Sequence, residues 1–192
     1  MDIEGDYDNP ESAYATYMLL RNVQVLRFLS NPEYTKGTPF EEVTRLYNKE
    51  IDFYGGSLGG YQSISTAALV NIAADLGENL GTPKQIQVIA PSLSDISTRA
   101  AGSAGNAIRV SQNPLFRAWY ENLVYFDSSH FVTFLDTQNL IIEGGFADTS
   151  CPPSGMAILY NVAKCNVTLK MTQNRTHSGE YPNTRIEYTR TK

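Results

Sequence analysis

The chain has 192 residues, 42% hydrophobic and only 18% charged; one core can form without disulfide support, and a disordered tail is excluded. No apolar run reaches the roughly 18 residues of a membrane-spanning helix, and a net charge of −5 without a basic block argues against nucleic acid as partner. Two cysteines and two histidines support neither a disulfide framework nor a Cys/His zinc cluster, so no metal or cofactor is expected.

The first eleven residues carry Asp2, Glu4, Asp6, Asp8 and Glu11 and no positive charge. Residues 1–8 read as a solvated acidic leader to a single domain over 1–192, and no basic stretch runs into an apolar one as in a signal peptide. A soluble protein is expected, its compartment open. Asn9-Pro10 predicts a helix start. Tyr14, Tyr17, Met18, Val25 and Leu29 follow at helical spacing until Asn31-Pro32. Residues 22–29 also admit an extended reading. Thr38-Pro-Phe-Glu41 reads as a capping box opening a second helix.

A short β-like run, Ile51-Asp-Phe-Tyr54, leads into Gly55-Gly-Ser-Leu-Gly-Gly60. A helix is then predicted from about Leu58 to Leu80, with Ala68, Leu69, Ile72, Ala73 and Leu76 on its buried face and Gly81 and Pro83 ending it. Residues 84–90 (KQIQVIA) alternate as a strand, and a Ser/Ala/Gly-rich loop extends to about Asn106. Asn113-Pro114 predicts a short helix through Trp119, and residues 123–126 read as a buried strand ending at Asp127. Further strands are predicted at 131–135, 139–143, 157–162, 165–172 and 184–190. The order strand, helix, strand, helix, strand between residues 50 and 127 implies a parallel sheet with a β-rich C-terminal part.

Gly55-Gly-Ser57-Leu-Gly59 fits the G-x-S-x-G nucleophile elbow. A nucleophilic serine there needs a sharp strand-to-helix turn, with Gly55 and Gly59 small because strand end and helix start pass closely. The helix N-terminus then faces a developing oxyanion. The competing structural reading is a glycine-rich loop whose serine is a turn residue.

The stretch EEVTRLYNKEIDFYGGSLGGYQSISTAALVNIAADL, followed by KQIQVIAPS, resembles the α/β-hydrolase superfamily and most of all its class 3 lipase branch. The resemblance covers residues 40–92, extends only loosely beyond them, and departs at Gly56, where many lipases have His. It implies a reduced α/β-hydrolase-like sheet, no cofactor, and a triad in the order Ser, Asp, His. Asp127 suits the acid by ending the run 123–126, and His177, in THSGEY, resembles the family's histidine loop. Ser57 would attack an acyl carbonyl, His177 would serve as base then acid, and Asp127 would fix the imidazole tautomer. The resemblance implies the Leu58 N–H as one oxyanion donor, with Gly60 among the elbow glycines. Asp95 and Asp136 remain alternative acids and His130 the alternative base. The family's second oxyanion donor follows an earlier strand, and residues 1–50 offer no convincing strand and loop of that kind.

Three functions stay open. A serine esterase or lipase-like hydrolase would take a small-molecule or lipid ester. A non-catalytic structural or assembly protein, such as a virion or phage component, would suit the 12 tyrosines, the acidic leader set against a basic stretch of six Lys/Arg and two Glu from Lys164 onward, and the incomplete oxyanion site, and would form a homo-oligomer. An inactive hydrolase scaffold would bind a ligand without turnover. Cys151 and Cys165 suit either a bridge between strands or two buried thiols.

Overall fold

A computed structural model describes residues 14–47, 49–96, 124–136, 138–179 and 184–192. The predicted cap at Asn9, the helix after Asn113 and most of the loop after β2 lie outside the described residues. Helix α1 (Tyr14–Ser30) stays helical through residues 22–29, so the extended reading is not adopted. Its buried face is Ala15, Met18, Leu19 and Val23, while Tyr17 and Val25 are exposed; the hydrophobic stripe is rotated from the expected one. Asn31 ends α1 by capping the one-turn helix α2 (Pro32–Thr35) through the Glu33 N–H. The Thr38–Glu41 signal also works one turn out of register. Thr38 Oγ1 accepts from the Phe40 N–H and Glu41 reaches back to the Gly37 N–H, ahead of α3 (Glu41–Leu46).

Strand β1 (Glu50–Gly56) runs into α4 (Leu58–Asp75), which ends at Asp75 and not at Gly81. Gly77 takes a φ of 87° just beyond it, and Leu76, expected in the core, is exposed. After β2 (Thr82–Ile89), residues 124–126 form a 3₁₀ turn, followed by α5 (Ser128–Phe131) and a second 3₁₀ turn over 132–134. The strands predicted at 123–126 and 131–135 are therefore absent: side-chain capping by Asp127 and a Val132–Leu135 turn close the backbone locally. The remaining elements are β3 (Asn139–Gly145), α6 (Pro153–Val162), β4 (Asn166–Thr172) and β5 (Arg185–Arg190). The run predicted as a strand at 157–162 is the C-terminal part of α6. Its β-branched and aromatic residues favour a strand locally, but Pro153 at the first helical turn and the need to cross between parallel β3 and β4 decide for helix.

The sheet order is β1-β2-β3-β4-β5, parallel from β1 to β4 with β5 antiparallel. Ile86, Leu140 and Val167 lie in register across it, as do Val88, Ile142 and Leu169. They form one core with Ile64, Ala67 and Ala68 of α4 and Met156 and Leu159 of α6. Among the described residues, the two helices packed on this core, α4 and α6, lie on the same face of the sheet. The alternate residues are mostly polar, and Gln87 of β2 and Arg185 of β5 both donate to the buried carboxylate of Glu143 on β3. This explains the alternation in KQIQVIA, since a strand covered on both faces reads as a continuous apolar run. Helix α1 packs on α4 as an outer layer, tied at its end by the Arg27–Glu78 ion pair.

Candidate active site

Ser57 sits between β1 and α4 with φ 51° and ψ −119°, a conformation that L-residues rarely adopt and that costs about 1–3 kcal/mol. Its N–H donates to Ile89 O (2.8 Å), and its own carbonyl accepts from the Ser92 N–H (3.0 Å) and the Tyr61 N–H (3.2 Å). The close approach expected around it is real but falls unevenly. A Cβ on Gly55 would lie 2.2 Å from Gly59 O, and one on Gly60 would lie 3.1 Å from Pro91, whereas one on Gly59 would meet nothing within 4 Å. Gly55 is sterically required, Gly60 is tightly packed, and Gly59 is unconstrained. The Ser57 side chain does not cap α4, which leaves the N–H groups of its first turn, starting with Leu58, without a cap from that residue.

His177, on the loop after β4, places Nε2 3.1 Å from Ser57 Oγ. Its Nδ1 lies 2.9 Å from Oδ2 of Asp148, not of Asp127. The Asp148 side chain is fully buried and that of His177 is about one-third exposed. Oδ1 of Asp148 accepts from the Ser150 N–H (2.9 Å) and the Cys151 N–H (2.8 Å), which aims Oδ2 at the imidazole. A carboxylate only accepts, so Nδ1 carries the proton and Nε2 is left to accept from the Ser57 hydroxyl. Ser57, Asp148 and His177 all lie beyond the C-terminal ends of parallel strands, where open α/β sheets hold their ligands.

Two loops must meet for this to happen. Phe146 N–H donates to Thr172 O and Ala147 N–H to Arg175 O, both at 3.1 Å. Gly145 makes this approach feasible, because a Cβ there would lie 2.0 Å from Arg175 O. Flanking both loops is an open cavity of about 430 Å³ lined by Phe146, Ala147, Gln173, Asn174, Thr184 and Ile186, with no charged side chain.

Asp127 has a different place from the one expected of it. Its buried carboxylate caps α5 through the Ser129 N–H (2.8 Å) and accepts from the Asp95 N–H (3.2 Å) and the Ile96 N–H (2.7 Å). Asp95 is buried and its carboxylate meets no hydrogen-bond donor among the described residues, and the carboxylate on His177 Nδ1 is that of Asp148, so neither of these two candidates holds it. Asp136, the other alternative acid, has a backbone role at the turn before β3, its N–H donating to Gln138 and its carbonyl accepting from Lys192. His130 is exposed on α5, away from Ser57's partner. The signal for Asp148 was present, since the predicted strand at 139–143 precedes it and Ser, Asp, His order holds. A second apparent strand at 123–126 obscured it. Cys151 and Cys165 are both buried and form no disulfide, and burial pushes the Cys165 thiol above its ordinary range. Among the described residues no three His, Cys, Asp or Glu side chains converge as metal ligands, and no helix is long and apolar enough to cross a membrane. No strand precedes β1 there either; residues 22–29, the one candidate, are helical.

No family model and no curated protein matches the sequence. Solved structures do. The acetyl xylan esterase from Paenibacillus sp. R4 superposes with a TM-score of 0.65 at 20% identity, over 91% of this chain and 51% of that one. Acetyl xylan esterase 1 from Thermoanaerobacterium sp. JW/SL YS485 gives the same score and coverage at 17% identity. A monoacylglycerol lipase from Paleococcus ferrophilus gives 0.50 at 13% identity, over 85% of this chain and 67% of that one. The chain has the α/β-hydrolase fold, with a mostly parallel five-stranded sheet and flanking helices. It spans about half the length of the two esterases.

Proposed function

We propose that this chain is a serine hydrolase of carboxylic esters, with Ser57 as nucleophile, His177 as base and then acid, and Asp148 in the role first assigned to Asp127. The observation that carries the reading is the continuous hydrogen-bonded chain from Ser57 Oγ through both imidazole nitrogens to Asp148. Ser57 attacks the acyl carbonyl while His177 Nε2 takes its proton. His177 then protonates the leaving alcohol, and water repeats the cycle on the acyl-enzyme. Asp148 holds the tautomer and stabilises the imidazolium. In this reading the strained turn at Ser57 is a nucleophile elbow, and the Leu58 N–H is one oxyanion donor.

An ester substrate is supported by the lipase-like stretch over residues 40–92 and by the esterases and lipase among the structural neighbours. The uncharged cavity beside the Asp148 and His177 loops suits a neutral substrate group. The test is covalent labelling by a fluorophosphonate, with hydrolysis of 4-nitrophenyl acetate measured in parallel. Labelling and turnover are expected in the wild type and absent in Ser57→Ala. A folded wild type that neither labels nor turns over an activated ester refutes the reading and favours the inactive scaffold.

A further inference from the structure

The segment leaving β2 holds three non-glycine residues in the left-handed region, Ala90 (φ 45°), Leu93 (φ 50°) and Asp95 (φ 60°). A backbone so strained persists only where its surroundings over-determine it. The surroundings here centre on Asp127, 4% exposed, whose two oxygens take the N–H groups of Asp95, Ile96 and Ser129. The next residue adds two ties: Ser128 N–H donates to Leu93 O (2.7 Å) and its Oγ to Ser92 O (3.2 Å).

The clamped segment touches both sides of the site. At one end Ser92 N–H donates to the carbonyl of Ser57 (3.0 Å). At the other, Ser94 fills the space where Gly155 lacks a side chain; a Cβ on Gly155 would lie 3.1 Å from Ser94. Gly155 is in the first turn of α6, which follows directly on the loop that holds Asp148. Residues 90–96 are therefore a strut between the Ser57 turn and the Asp148 side of the site.

We propose that Asp127 is a positioning residue, whose buried carboxylate clamps residues 90–96 and through Ser92 holds Ser57 in register with His177. The kinetic consequence rests on Ser57 being the nucleophile; the clamping does not. Three N–H donors converge on two oxygens, which only a carboxylate satisfies. In Asp127→Asn one oxygen becomes an NH₂ facing a donor, and in Asp127→Ser the hydroxyl still caps α5 but is too short to hold the strut.

The test compares wild type, Asp127→Asn, Asp127→Ser and Ser128→Ala by amide hydrogen exchange and by fluorophosphonate labelling over a concentration series. In the Asp127 variants the Ser92, Asp95 and Ile96 amides are expected to exchange about tenfold faster or more. The maximal labelling rate should fall about 10- to 100-fold with little change in probe affinity, and the pH midpoint should not move because His177 and Asp148 are untouched. Ser128→Ala should change exchange and rate in the same direction by less. Unchanged Ser92 protection in a folded Asp127 variant overturns the clamp, and labelling at the wild-type rate despite faster exchange at the strut overturns the positioning role. Should the wild type itself not label, the hydrolase reading alone falls, and exchange at Ser92 still decides the clamp.

Discussion

Replacing Gly55 by alanine tests whether the contact between β1 and the start of α4 sets the Ser57 turn. The new methyl carbon would stand 2.2 Å from Gly59 O and 2.4 Å from Gly59 C. Both are backbone atoms that cannot swing aside, so the start of α4 must retreat by about 1 Å to reach ordinary contact. Overpacking of this kind costs about 1–3 kcal/mol, or a fall in melting temperature of about 2–12 °C for a chain of this size. The same retreat would lengthen the 3.1 Å contact between Ser57 and His177, and a misplacement of that order costs about 10²-fold in rate. Gly59→Ala is the internal control. It lies in the first turn of α4, where its Cβ meets nothing within 4 Å, so the helix should gain about 0.5–1 kcal/mol. Thermal unfolding by circular dichroism and fluorophosphonate labelling read both effects. If Gly55→Ala melts and labels like the wild type, or if Gly59→Ala is the more damaging of the pair, the steric argument is wrong.

Ser57→Gly should abolish labelling yet raise the melting temperature, because glycine relieves the strain at φ 51°, a gain of about 1 kcal/mol. Asp148→Asn should lower kcat by about 10⁴-fold, as expected when the imidazole loses its tautomer partner; a loss of less than about tenfold would remove Asp148 from the role. Cys151 and Cys165 should resist iodoacetamide in the native protein and react on unfolding, read by intact mass. The Arg27 guanidinium, bonded to both oxygens of Glu78 at 2.6 and 2.7 Å, holds that carboxyl below its ordinary range. Its contribution is therefore present above the ordinary carboxylate range and lost as pH falls through the depressed value. The melting-temperature gap between wild type and Glu78→Gln should shrink on acidification, and a gap that does not change with pH would contradict this.

What the sequence determined by itself lay in local chemistry. Asn31-Pro32 ends α1 because a cap and a proline act within one turn, and the glycine cluster marks the Ser57 turn because at Gly55 only a residue without a side chain lets strand and helix pass. The alternation in residues 84–90 and in Val167, Leu169 and Met171 declared strands with one face buried. The parallel α/β sheet followed from such elements. Ser57 stood out by its glycines and His177 by the resemblance of THSGEY to the family's histidine loop, and the fold brings these two side chains within 3.1 Å.

The tertiary structure decided what depends on distant partners. Residues 157–162 have the side chains of a strand, yet they form a helix because two parallel strands must be joined across one face. Residues 123–126 are apolar enough for a strand, but the sheet places β3 next to β2 in their stead. That choice makes Asp148, and not Asp127, the carboxylate that meets His177. Both aspartates follow apolar runs, and nothing local tells them apart. The difference is the pairing of β3 with β4, which lays the 145–148 loop along residues 172–175 and carries His177 to Asp148. Asp127, left at the end of a turn, has three backbone N–H groups around it and no histidine.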